Sequence, residues 1–178
     1  MKTWVALLRG VNVGGKNTIP MGELKSSLSS LGLEDVVTYI QSGNVVFRSP
    51  AGHTRVAVDI ERRIAKAFGV SVTVLLRTPA ELRTIARSNP FLSGQADLSK
   101  LHVVFLSDRP KANAVAGLDP ERSPPDAFSV RGREIYLHLP NGSGRSKLTI
   151  DYFERRLGVA ATARNWNTLI KLNVLTER

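Results

Sequence analysis

Apolar residues recur along this chain at two periods, and the switching between them predicts a repeated order of strands and helices. Residues 4–8 form an unbroken apolar run inside 3–9, as in a buried strand. Behind Pro20, Met21, Leu24, Leu28 and Leu31 return at helical spacing, with the proline suited to a first helical turn. The β-rich runs 36–41 and 44–48 flank Ser42 and Gly43, a two-residue connection in which glycine supplies the positive φ of a tight hairpin. Val56, Ile60, Ile64 and Phe68 mark one face of a helix, and an apolar strand follows over 72–77. Thr78, Pro79 and Glu81 then start another helix: threonine caps it, proline loses no needed donor, and Glu81 completes a capping box.

The same order returns after a loop over 88–100. A strand is expected over 101–106, a short helix over 110–116, and a hairpin of 127–130 with 134–139 around Gly132. Ile150, Phe153 and Leu157 mark a helix, a short strand lies near Ala161, and a last helix starts at Trp166. Glu61, Arg62, Arg63, Gly69, Val70, Arg77 and Thr78 find counterparts in Glu154, Arg155, Arg156, Gly158, Val159, Arg164 and Asn165. These matches predict an α+β chain of two tandem ferredoxin-like βαββαβ units, an internal duplication divided into 1–94 and 95–178. In each unit two helices cover one face of a four-stranded antiparallel sheet. The two open faces then pack on one another or join edge to edge, and the sequence does not choose.

Charge adds a preference for partners. A formal net charge of +10 favours anionic partners, a nucleic acid, a nucleotide or other anionic small molecule, or an acidic membrane surface. Against that, the excess is mostly arginine scattered through helices, with no block of five like charges, so composition alone also accounts for it. With no cysteine, there is no disulfide framework, thiolate nucleophile or cysteine metal site, as suits a reducing, cytoplasmic setting. The run 4–8 is too short for a signal-peptide core or a membrane span, so no membrane partner is expected. The oligomeric state is not legible.

Candidate chemistry lies in loops. Gly10, Gly15 and Lys16 fall at the spacing of a phosphate-binding P-loop, after a strand and before a helix. Asn17 stands where a metal-binding Ser or Thr belongs, and a hairpin follows instead of parallel strands, so nucleotide hydrolysis is not expected. Free amides of such a loop still bind an anion, and a flexible loop is the plain alternative. Residues 141–147 (NGSGRSK) form a second loop running toward a helix, with Arg145, Ser146 and Lys147 adding two cations and a hydroxyl. There the plain alternative is a solvated turn in which Ser146 caps the helix. Asn165 takes the place of Thr78, so capping explains it, and Trp166 reads as core. His53, His102 and His138 are scattered without metal-ligand spacing, and neither a metal nor a cofactor is expected. No nucleophile elbow, carboxylate pair or RNA-binding aromatic signature is present.

Residues 8–15 (LRGVNVGG), 39–46 (YIQSGNVV), 139–148 (LPNGSGRSKL) and 162–168 (TARNWNT) together resemble a bacterial family catalogued as domain of unknown function 1697. The likeness spans essentially the whole chain. It implies a tandem ferredoxin-like fold and no established activity. By motif position it marks Arg9, Asn12, Gly14, Gln41, Ser42, Gly43, Asn44, Lys147, Arg164 and Asn165, without giving any of them a role.

Three functions compete on these residues. The first is a binder of an anionic ligand, a nucleotide or a nucleic-acid backbone, at loops 10–18 and 141–147. The second is a small enzyme acting on a phosphate or carboxylate substrate in the manner of acylphosphatases, whose arginine and asparagine Arg9 and Asn44 would match only if the fold brings them together. The third is a protein-interaction module using an exposed sheet face. The first and third strands of such a unit are expected to run parallel, so that loops 10–18 and 141–147, if the halves pack with those edges adjacent, open at one end and share a basic cleft. Lys16, Arg145 and Lys147 would then surround it, with Arg9 or Arg164 on its floor.

Overall fold

The computed structural model describes residues 1–93 and 96–178. By packing, these residues divide into two compact units, Met1–Arg83 with Leu172–Arg178, and Thr84–Lys171. The boundary expected at 94/95 falls on residues outside the described ones.

The first unit is built on a four-stranded sheet of β1 (Lys2–Arg9), β2 (Glu34–Tyr39), β3 (Asn44–Ser49) and β4 (Thr73–Arg77), in the order β2-β3-β1-β4. All neighbouring strands pair antiparallel. α1 (Met21–Ser29) and α2 (His53–Phe68) cover one face. The apolar run of β1 is explained by its two faces. Trp4, Ala6 and Leu8 meet Leu24, Leu28, Val56, Ile60 and Ile64 of the helices in one core. Val5 and Leu7, which alternation turns to the other face, are equally buried. α2 ends at Gly69, whose φ of +68° puts it in the left-handed conformation that closes a helix.

α3 (Pro79–Arg87) opens on the expected capping box. Thr78 Oγ1 accepts from the Glu81 amide, and Glu81 Oε2 accepts from the Thr78 amide at 2.7 Å.

The second unit repeats the arrangement with β5 (Leu101–Leu106), β6 (Ala127–Arg131), β7 (Glu134–His138) and β8 (Ala161–Asn165), in the order β6-β7-β5-β8 and again all antiparallel. Its helices are the short α4 (Ala112–Ala116), α5 (Ile150–Leu157) and α6 (Trp166–Leu175), the last extending into residues grouped with the first unit. Val104, Leu106, Ile135 and Leu137 pack on Tyr152, Phe153 and Leu157. The opposite face, with Val103, Phe105 and Tyr136, is buried as well, and Tyr136 donates its hydroxyl to the Ile85 carbonyl at 2.9 Å.

Among the described residues, then, the molecule is α+β, with two separate four-stranded antiparallel sheets and six helices, consistent with a duplicated unit. Single bonds recur at matching places. Glu61 accepts from the Val74 amide, which lies opposite Leu8, and Glu154 accepts from the Ala161 amide, which lies opposite Leu106. Arg77 lies opposite Val5 as Arg164 lies opposite Val103.

Three expectations are corrected. The β2–β3 connection is four residues, 40–43, because pairing already ends at Tyr39↔Asn44, and Ile40 as well as Gly43 takes a positive φ. The first and third strands of each unit run antiparallel, so the connections that follow them leave from opposite ends and give no ground for a shared cleft. Finally, much of the second face of each sheet is buried, with Val5, Leu7 and Leu75 in the first and Val103, Phe105 and Tyr136 in the second, which leaves less open sheet than an interaction module on an exposed face was expected to use.

Candidate functional site

Six of the marked residues meet at one end of the first sheet, where they hold loops together. Asn12, in the left-handed region at φ +55°, accepts from the Ile19 amide through Oδ1 at 2.8 Å and donates Nδ2 to the Ile19 carbonyl at 3.1 Å. The same Nδ2 donates to the Gln41 carbonyl at 2.7 Å, tying the 10–19 loop to the hairpin turn. Asn17 closes the loop from the other side, donating Nδ2 to the Gly10 carbonyl. Gly43 fits where no other residue does: its φ is +82°, and a Cβ there would lie 2.8 Å from Leu8 Cβ. Its carbonyl accepts from the Leu8 amide. Asn44 is wholly buried and donates to the Tyr39 carbonyl and the Ser42 hydroxyl, each at 2.9 Å.

Arg9 ends β1, half-buried, two residues from Leu7, which pairs with Asn44. Alternation therefore puts Arg9 and Asn44 on the same face.

Gly14 and Lys16 stand exposed at the tip of this loop. The P-loop arrangement does not form. The Asn12 and Lys16 amides donate within the loop, to Asn17 and Val13, and α1 begins only at Met21, behind Pro20. The glycines are thus separated from the helix N-terminus that was to share their anion.

In the second unit, residues 141–147 form a different object. Gly142, at φ +83°, turns the chain into a short 3-10 turn over Ser143–Arg145, which no side chain caps. The helix beyond is capped by Thr149, whose Oγ1 accepts from the Tyr152 amide, and not by Ser146. Ser146 Oγ instead accepts from the Leu148 amide. Arg145 and Lys147 are exposed, and neither pairs with a carboxylate among the described residues.

Sequence reasoning missed the segment that supports this loop. Ser123 Oγ accepts from the Lys147 amide while donating to Asp126, and Arg122 Nε donates to the Lys147 carbonyl at 2.9 Å. The Arg122 guanidinium also lies 3.9 Å from the centre of the Tyr152 ring, with Arg156 at 5.9 Å from the same ring. The only sequence signal was the spacing of Tyr152 and Arg156, four apart on one helix face. Arg122 comes from a loop 30 positions away, with no periodicity to announce it. Four cations, Arg122, Arg145, Lys147 and Arg156, thereby belong to one surface; Asp119 and Glu121 are the exposed carboxylates of the supporting loop.

Beneath the loop is a cavity of about 140 Å³ lined by His102, Ser143, Thr149 and apolar side chains. Burial pushes the His102 pKa down from its usual value, and its Nδ1 has no hydrogen-bond partner.

The remaining two marked residues lie on β8. Arg164 is buried in β8, donating Nη1 to Thr162 Oγ1 at 2.7 Å and to the Ala163 carbonyl at 2.8 Å. Burial pushes its pKa down to about 10, which still leaves it charged at neutral pH. Asn165 caps α6, accepting from the Asn167 amide. Trp166 is core, as expected. Among the described residues no three His, Cys, Asp or Glu side chains are grouped to hold a metal, and no helix is long and apolar enough to cross a membrane.

The conserved bacterial protein SP0830 from Streptococcus pneumoniae superposes with a TM-score of 0.79 over 100% of this chain and 99% of its own, at 22% identity, a likeness of fold alone. No curated protein matches the chain. A family model described as "Protein of unknown function (DUF1697)" matches residues 1–136, which is most of the chain, and the protein belongs to that family.

Proposed function

We propose that the protein binds an anionic, phosphate-bearing ligand, a nucleotide or a nucleic-acid backbone, on the second unit at residues 141–147. The observation that carries this reading is the set of unpaired cations Arg122, Arg145 and Lys147 around an uncapped turn. The Lys147 backbone is held at its amide by Ser123 and at its carbonyl by Arg122, whose guanidinium stacks on Tyr152. Turn amides and neighbouring cations are the groups that phosphate oxygens select. A held guanidinium loses less freedom on binding than a loose one. Lys16, on the loop of the first unit, is a separate exposed cation that adds to the attraction of anions.

The proposal places the protein in the cytoplasm, in keeping with a cysteine-free sequence. It also reads each unit as ferredoxin-like, a reading supported by the order strand, helix, hairpin, helix, strand and by the sheet order β2-β3-β1-β4.

The test is fluorescence anisotropy of a labelled single-stranded oligonucleotide, with ATP as competitor, at two or more salt concentrations. Binding should weaken steeply with salt and should fall at least about tenfold in the Arg145→Ala, Lys147→Ala double variant, the scale of one or two lost charge-assisted contacts. Binding unchanged by the double substitution overturns the assignment.

A further inference from the structure

On the first unit a cavity of about 380 Å³ opens beside the edge strand β2. Its walls are Val37 and Val46, from paired strands, and Leu175, from the end of α6. Its charged groups are Asp35, Arg48 and Arg178. The volume lies within the range of small-molecule sites, on the order of 300 to 1,000 Å³.

The strand is irregular at this place. The register of β2 on β3 shifts between Glu34 and Val37, and Asp35 takes φ +50°, which a non-glycine residue rarely adopts. A bulge on an edge strand re-aims a side chain, and here it brings the Asp35 carboxylate to 3.1 Å from Arg48 Nη1. Both partners are open to water, with side chains 45% and 68% exposed. An incoming anion can therefore replace Asp35 on Arg48 without opening a buried pair. Two guanidinium groups face one side-chain carboxylate, so the cavity prefers a negative guest.

We propose that this cavity binds a small carboxylate with a compact apolar body, the body between Val37, Val46 and Leu175 and the carboxylate on Arg48 and Arg178. The site is independent of the phosphate reading.

The test is an amide and methyl NMR titration of the full chain with 4-phenylbutyrate, with 4-phenyl-1-butanol as its neutral counterpart. Saturable shifts should be confined to Val37, Val46, Arg48, Leu175 and their neighbours, with the alcohol binding more weakly. Arg48→Gln should weaken the carboxylate by about tenfold, the scale of one charge-assisted hydrogen bond, and leave the alcohol unchanged. The mapping is made on the unaltered protein, so it stands even if the variant misfolds. Absence of saturable binding at millimolar concentration, shifts centred on 141–147, or equal affinity for acid and alcohol would each overturn the proposal.

Discussion

Gly43 shows how much a single position in the hairpin motif contributes. Replacing it with alanine forces a left-handed backbone on a residue with a Cβ and drives that Cβ into Leu8, which is itself fully buried and has no room to yield. Together these effects should cost about 2–4 kcal/mol, read as a lower urea midpoint with an unchanged slope. Tyr136 makes a prediction with a pH sign. Burial, followed by the Glu134 charge, pushes its pKa from 10.0 up to about 12. Below pH 10 the hydroxyl is protonated in both folded and unfolded chains, and its stabilisation is complete. Between 10 and 12 the unfolded chain releases the proton first, so stability falls as pH rises. Tyr136→Phe should flatten that alkaline limb in a series of melts, while costing about 1–3 kcal/mol at neutral pH by orphaning the Ile85 carbonyl. An unchanged limb would mean that another group titrates there.

At the scale of elements, the duplication is most visible in the two glutamates that tie a helix to the start of a strand. Glu61→Ala and Glu154→Ala remove equivalent acceptors from the Val74 and Ala161 amides. Each should cost about 1–3 kcal/mol and speed hydrogen exchange at its own amide. A large loss for one and none for the other would show that the copies no longer share this device. Periodicity made most elements legible: the Val56–Ile60–Ile64 stripe became the buried face of α2, and Thr78 with Glu81 became the capping box of α3. Loops were harder to read than elements. The P-loop spacing was already countered by Asn17, but the closure of that loop was not legible: Asn12 reaches Ile19 and Gln41 across it, and no local pattern encodes a bond between residues 29 positions apart. The β2–β3 turn was drawn two residues too short, because Ile40 looks like a strand residue and adopts a turn conformation.

For the whole molecule, the charge of +10 is informative only where cations lack partners. Arg48, Arg55 and Arg155 pair with Asp35, Asp59 and Asp151, and Arg164 is held inside β8. Arg122, Arg145 and Lys147 are among the cations that pair with no carboxylate among the described residues, and the sequence singled out only the last two of them. The motif residues of the first unit were visible as a set, and the bonds of Asn12 and Asn44 close the loop and the turn that carry them. The central claim is that residues 141–147 hold phosphate, and the most direct measurement is a residue-resolved amide NMR titration with tripolyphosphate. Saturable shifts are expected, led by the Ser143 and Gly144 amides and the Arg145, Lys147 and Arg122 side chains and lost in the Arg145→Ala, Lys147→Ala variant; saturable shifts elsewhere, or none at these amides, would contradict phosphate binding at 141–147.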